Sequence, residues 1–209
     1  MEQKKPTIIS ISAVPGGGKT AVTRALNNVL PNSKMLCFDD YECNIEDISD
    51  WFKRGSDLKE WNVDKLVKDI NSIVNSKKII DYLILDFRFG NEHPEIKKYI
   101  DYAVFIDTPL DIALGRRFLR DYLDISIPSK NWKNPLLWRR NLMDIFFHSR
   151  TRATREELKF YLSYTRLTPL EILKRVKPKC DLIIDGSQTL DAIVNQISQK
   201  IESIFNNNS

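Results

Sequence analysis

The chain has 209 residues and a formal net charge of +4, which suits one α/β domain with helical additions and is too mild a charge to argue for nucleic acid. A composition of 42% hydrophobic and 29% charged residues is that of a globular protein, so disorder is expected only at the ends, as in the polar tail 206–209. Three scattered cysteines (Cys37, Cys43, Cys180) without a CxxC pair imply neither a disulfide framework nor a zinc site and suit a reducing cytoplasm, and no apolar run approaches the ~20 residues of a membrane span.

Taken in chain order, Thr7–Ser12 (TIISIS) reads as a β-branched strand. The opening stretch mimics a signal peptide, but Ser10 and Ser12 interrupt it and it leads into a glycine loop, which favours a buried strand. Lys19–Leu30 has Val22, Ala25, Leu26 and Val29 at helical spacing and ends at Pro31–Asn32. Lys34–Phe38 is a second strand, 63–74 a helix with apolar residues at 63, 66, 67, 70, 73 and 74, and Tyr82–Asp86 (YLILD) a continuous apolar strand of the kind covered on both faces. His93 reads as an exposed helix-start residue. Tyr102–Asp107 is the fourth strand, Leu110–Leu123 an arginine-rich helix and Asp181–Asp185 the last strand. The final helix presents Leu190, Ile193, Val194, Ile197, Ile201 and Ile204 to the core.

Strands alternating with helices predict a three-layer, doubly wound sheet of five parallel strands, with right-handed crossovers and a ligand beyond the carboxyl ends of the strands. Two segments fall outside this plan: residues roughly 41–62, with Trp51, Phe52 and Trp61 among charges, and roughly 124–178, mostly helical, with an apolar stripe of Trp138, Leu142, Ile145 and Phe146. Both read as insertions into a single domain spanning 1–209 that build a lid or an acceptor pocket, with extra core packing the rival reading. Most of the late arginines (Arg139, Arg140, Arg150, Arg152, Arg155, Arg166) read as solvated helix faces.

The strongest motif is Ala13–Val14–Pro15–Gly16–Gly17–Gly18–Lys19–Thr20, continued by Ala21. It matches the phosphate-binding P-loop, or Walker A, except that Ala13 replaces the first glycine. Glycines let backbone N–H groups turn inward around phosphate oxygens, and a helix starting near Lys19 aims its positive end at the same anion. Lys19 reaches the β- and γ-phosphates, and the Thr20 hydroxyl is a Mg²⁺ ligand. The departure at Ala13 is tolerable provided its φ is negative. Asp86, closing YLILD, is placed as a Walker B carboxylate on Mg²⁺, with a helix or turn cap as the rival role. Asp39 and Asp40 close the second strand; a carboxylate there can take the proton of an attacking hydroxyl, Asp39 ahead of Asp40, and Asp39 is also a candidate metal ligand. An Asp-rich turn is the alternative.

These residues, with the DDY ending at Tyr41 and the segment FIDTPLDIALGRRFLRD, resemble the uridine kinase-like branch of P-loop kinases, over residues 7–40 and 80–123 and loosely over 178–205. The resemblance implies the strand order 2-3-1-4-5. It also implies that Asp107, Thr108, Arg116, Arg117, Arg120 and Asp121 belong to a lid helix whose arginines close over ATP and the transferring phosphoryl group, with Asp39 as the base. Arg116 and Arg120 lie four apart on one helix face, and Arg117 and Asp121 have the spacing of a pair. The loop after Asp86, with Phe87 and Arg88, is expected to face the acceptor.

The functional expectation is an ATP- and Mg²⁺-dependent cytoplasmic kinase acting on a hydroxyl of a small, nucleoside- or vitamin-like molecule. An oligomer is compatible with the sequence. The segments that would choose the acceptor lie outside the resemblance, so uridine is not implied. A regulatory ATPase or switch without a small-molecule acceptor is the rival class; no NKxD guanine motif is present, and the length and missing signature segments disfavour ABC and AAA+ forms. A polynucleotide kinase ranks last, because no concentrated basic stretch is present.

Overall fold

The computed structural model describes residues 5–41, 45, 48–120 and 154–205. The stripe predicted at Trp138, Leu142, Ile145 and Phe146, the pairing partner Asp121 and the tail 206–209 lie outside the described residues.

Five strands form one sheet: β1 (Thr7–Ala13), β2 (Ser33–Cys37), β3 (Tyr82–Asp86), β4 (Tyr102–Asp107) and β5 (Leu182–Asp185). Their order is β2-β3-β1-β4-β5 and every pairing is parallel. The expected fold class and strand order are therefore those observed. β3 and all but the last residue of β4 are buried, as a parallel sheet covered on both faces requires.

Alternation along β1 divides the core. Ile9, Ile11 and Ala13 face one layer, with Val22 and Leu26 of α1 (Lys19–Val29) and Ile193, Ile197 and Ile201 of the C-terminal helix Leu190–Phe205. Ile8 faces the other layer, with Leu66, Ile70 and Ile73 of α3 (Asp64–Val74) and Ile96 of the short α4 (Pro94–Lys97). Burying each such side chain contributes about 1.5–3 kcal/mol. On that second face β1 also carries Ser10 and Ser12, both fully buried. Their small size lets the turn after β3 pack close: Ser12 Oγ donates to the Phe87 carbonyl at 2.8 Å, and a Cβ on Gly90 would come within 3.1 Å of Ser12 Oγ.

Three expectations are corrected. Val29 is exposed, because the buried stripe of α1 follows Val22, Leu26 and then Leu30, four apart, and Leu30 takes the inward place at the helix end. Leu190, the first residue of the last helix, is also exposed, and the inward stripe begins at Ile193. His93 does precede α4 but is buried at 1% exposure, with Nε2 donating to the Trp61 carbonyl at 3.2 Å. Burial lowers its pKa.

The insertion 41–62 contains a short helix α2 (Ile48–Lys53) and a 3₁₀ turn (Leu58–Glu60), and it sends Trp51, Leu58 and Trp61 into the second core layer. The arginine-rich helix is α5 (Leu110–Phe118). Its Ala113 packs with Val14, Phe105, Ile172 and Val176 in a third, smaller cluster above the loop.

Candidate active site

β1 ends at Ala13, whose φ is not positive, so the missing first glycine costs no backbone strain. The chain then wraps: Gly17 N donates to the Val14 carbonyl at 2.8 Å, and Gly16 and Gly18 adopt φ of 83° and 94°. Gly16 is further constrained because a Cβ would lie 2.2 Å from the Ala113 carbonyl oxygen, so α5 is seated directly on the loop. Gly18 is the N-cap of α1, no side chain caps that end and no acid occupies the first turn. The first N–H groups and the positive helix end are thus left for an anion. Thr108, buried at the end of β4, donates through Oγ1 to the Gly17 carbonyl at 2.8 Å and ties the loop to the sheet.

Lys19 points from the first turn of α1 onto the ends of β2 and β3. Its ammonium contacts the fully buried Asp86 carboxylate and lies 3.9 Å from Asp39. Burial favours the neutral amine and lowers its pKa to about 8, with Arg88 acting in the same sense and Asp39 against it. The contact with Asp86 also favours the charged form, so the ammonium is retained at neutral pH. Cys37 Sγ donates to the second Asp86 oxygen at 3.4 Å.

Asp39 sits on a 3₁₀ turn (Phe38–Asp40) after β2, with half of its side chain exposed. Burial opposes its ionisation, but the charges of Arg88 and Lys19 outweigh that and hold its carboxyl below the usual range. Arg88 bonds Asp39 through Nη2. Its guanidinium carbon lies 5.6 Å from the Phe38 ring centroid and 5.5 Å from that of Trp61.

These groups share a cleft of about 790 Å³ at the carboxyl end of the sheet. Its walls include Val14, Pro15, Gly16, Gly17, Gly18, Lys19, Thr20, Ala21, Asp39, Arg88, Arg116, Arg117 and Arg120. Arg116 donates to the Gly186 carbonyl at 3.1 Å and Arg117 to Glu157 at 2.8 Å. Asp86 lies beneath Lys19 rather than on the wall. Phe87 is fully buried edge-on to Phe38 and Phe89, at centroid distances of 5.1 and 5.5 Å. Asp40 is exposed and Tyr41 donates to Asp69 at 2.7 Å; neither lines the cleft.

The wall also contains residues that sequence reasoning did not single out for the site: Arg24, Trp61, Thr165 and Thr168. Arg24 was findable, since it lies four residues after Thr20 on the same helix face. Trp61 carried only the signal of an aromatic in a charged segment, and Thr165 and Thr168 carried none.

The glycine cradle, the uncapped helix end and the lysine fit a polyphosphate. A Mg²⁺ ion wants hard oxygen donors and keeps several waters and substrate oxygens. Thr20, Asp86 and Asp39 supply donors of that kind. Among the described residues no group of three or more His, Cys, Asp or Glu could hold a metal by itself. Also among the described residues, no helix is long and apolar enough to cross a membrane.

No protein-family model matches the chain. It is similar to a uridine kinase of Streptococcus equi subsp. zooepidemicus, 29% identical over 147 residues that cover 58% of this chain and 71% of that one. A uridine kinase of Streptococcus gordonii is 24% identical over 208 residues, 97% of each chain. Among solved structures, a gluconokinase of Sinorhizobium meliloti 1021 superposes with a TM-score of 0.51 at 13% identity, covering 99% of both chains, a likeness of fold alone. Sheet order and phosphate cradle are those of the P-loop kinase fold. By sequence the chain is similar to uridine kinases, in keeping with its resemblance to the uridine kinase-like branch.

Proposed function

We propose that the protein transfers the γ-phosphate of ATP to a hydroxyl of a small, nucleoside- or vitamin-like molecule. The observation that carries this reading is the meeting, in one cleft, of a glycine cradle, the Lys19 ammonium and the Asp39 carboxylate. The loop N–H groups and the α1 N-terminus bind the phosphates, and Lys19 places its charge on the β- and γ-oxygens. Thr20, Asp86 and Asp39 would hold Mg²⁺, which when bound neutralises charge on the β- and γ-phosphates.

Asp39, ionised at neutral pH, orients the attacking hydroxyl and receives its proton. Phosphoryl transfer asks for positioning and charge neutralisation more than for covalent chemistry. Arg116, Arg117 and Arg120, on the wall facing the loop, supply positive charge near the transferring group. Of the residues expected near the acceptor, Arg88 lines the cleft, whereas Asp40, Tyr41 and Phe87 do not. Uridine is the first acceptor to try, because it is the acceptor in the relatives' names.

The test is ATP turnover with Mg²⁺ against a panel of nucleosides, vitamins and sugars. A kinase shows slow ATP hydrolysis that one acceptor strongly accelerates, with a phosphorylated product. Acceleration by a protein partner alone, and by no small molecule, would favour the regulatory ATPase.

A further inference from the structure

The parallel register of β2 and β3 places Cys37 opposite Asp86. Asp39 and Arg88 each lie two residues beyond that pair, so the sheet itself brings them together at the mouth of the cleft. Asp39 stands on a short turn with half its side chain exposed. Lys19 lies 3.9 Å from it and is the group that binding of a polyphosphate would claim. Arg88 is the cation bonded to Asp39, and the charge of Arg120 also reaches it.

Arg88 is itself held. Its guanidinium faces the rings of Phe38 and Trp61 at 5.6 and 5.5 Å. The Trp61 ring is fixed by Phe89 at 5.1 Å and Trp51 at 5.8 Å, and its backbone carbonyl accepts from buried His93. Arginine, unlike lysine, can use its planar faces for aromatic rings while its edge bonds a carboxylate.

We propose that Arg88 is a positioning residue acting through Asp39, and that the aromatic insertion around Trp61 is the clamp that holds it. This rests on the reading of Asp39 as the group that orients the attacking hydroxyl. The insertion would then serve the chemistry indirectly, by setting where a carboxylate points.

The experiment is a double-mutant cycle on the full chain with R88M, D39N and R88M/D39N, plus R88K. ATP turnover is read with the acceptor that the panel gives, or with water as acceptor if none does. ADP-dependent thermal stabilisation checks that each variant folds and binds nucleotide. R88M should lower kcat by about 10–100-fold, the scale of a misplaced reacting group, while the KM for ATP shifts by less than about threefold. In the D39N background the same change should cost less than about threefold more, since the two residues act as one unit. R88K should recover part of the rate, and millimolar guanidinium should rescue R88M but not D39N. An R88M enzyme at the wild-type rate would overturn the proposal. So would an R88M cost undiminished in the D39N background, which would place Arg88 on the acceptor directly. A wild-type protein that turns over no ATP under any of these conditions would instead sink the kinase reading, and this inference with it.

Discussion

The loop from Ala13 to Lys19 takes its shape from the backbone of one continuous segment, whereas another part of the cleft wall is built from Asp39, Trp61 and Arg88, which come from separate parts of the chain. The first region uses N–H groups, a helix terminus and positive φ angles, which are local properties. The second uses ring stacking and ion pairing that exist only once β2, β3 and the insertion have packed. A locally coded wall tolerates few substitutions and serves a ligand common to many proteins. A wall assembled from distant segments can be rebuilt without disturbing the fold, and it is where a particular acceptor would be recognised.

Substitutions on the two walls should therefore fail differently. The largest effect is expected from Lys19→Met, which should cut ATP turnover on the order of 10³-fold. It should also destabilise the fold by roughly 3–5 kcal/mol, because Asp86 is left buried and uncompensated. Chemical denaturation should show that K19M/D86N regains much of this stability. Trp61→Ala should cost about 3–5 kcal/mol of stability through cavity formation among its ring neighbours, while nucleotide affinity of the protein that remains folded, measured by calorimetry, changes little. If W61A instead weakened ATP binding as strongly as a loop substitution does, the separation of the two walls would fail.

Gly16→Ala should reverse that pattern. The positive φ alone costs about 1–2 kcal/mol, and the close Ala113 carbonyl forces the loop or α5 to shift, so ATP affinity should fall more than the melting temperature does. The next effect concerns pH. Free Lys19 has a pKa of about 8, and only its protonated form attracts phosphate. ATP affinity should be at its full value below that pH and fall by up to about tenfold per unit above it, a slope that calorimetry between pH 7 and 9.5 would read. The smallest effect is expected from Thr108→Val, which removes a buried hydrogen bond to the Gly17 carbonyl at a cost of roughly 1 kcal/mol and should raise the KM for ATP several-fold with little change in kcat.

Several features of the molecule were legible before folding. YLILD and YAVFID, continuous in apolar residues, announced strands covered on both faces, and both occupy the expected residues. Lys19 and Asp86 were both singled out for the phosphate end, and in the structure they are in contact. What escaped were long-range relations. His93 looked like a solvent-facing helix start because nothing nearby reveals that the Trp61 carbonyl lies over it. Phe87 follows a carboxylate read as a site residue, yet alternation along the strand turns it into the aromatic core. Trp61, in a segment read as either pocket or extra core, stands at the boundary between that core and the cleft, a placement only the tertiary structure decides.

The sequence by itself determined the sheet, its parallel sense and the phosphate cradle, because hydrophobic periodicity and glycine spacing act over a few neighbouring residues. Only the tertiary structure decided that Arg88 would bond Asp39, that Trp61 and Phe38 would hold Arg88, and that α5 would rest on Gly16. Those contacts join residues tens of positions apart, and their energies depend on distances that no local pattern encodes until the strands have paired in register.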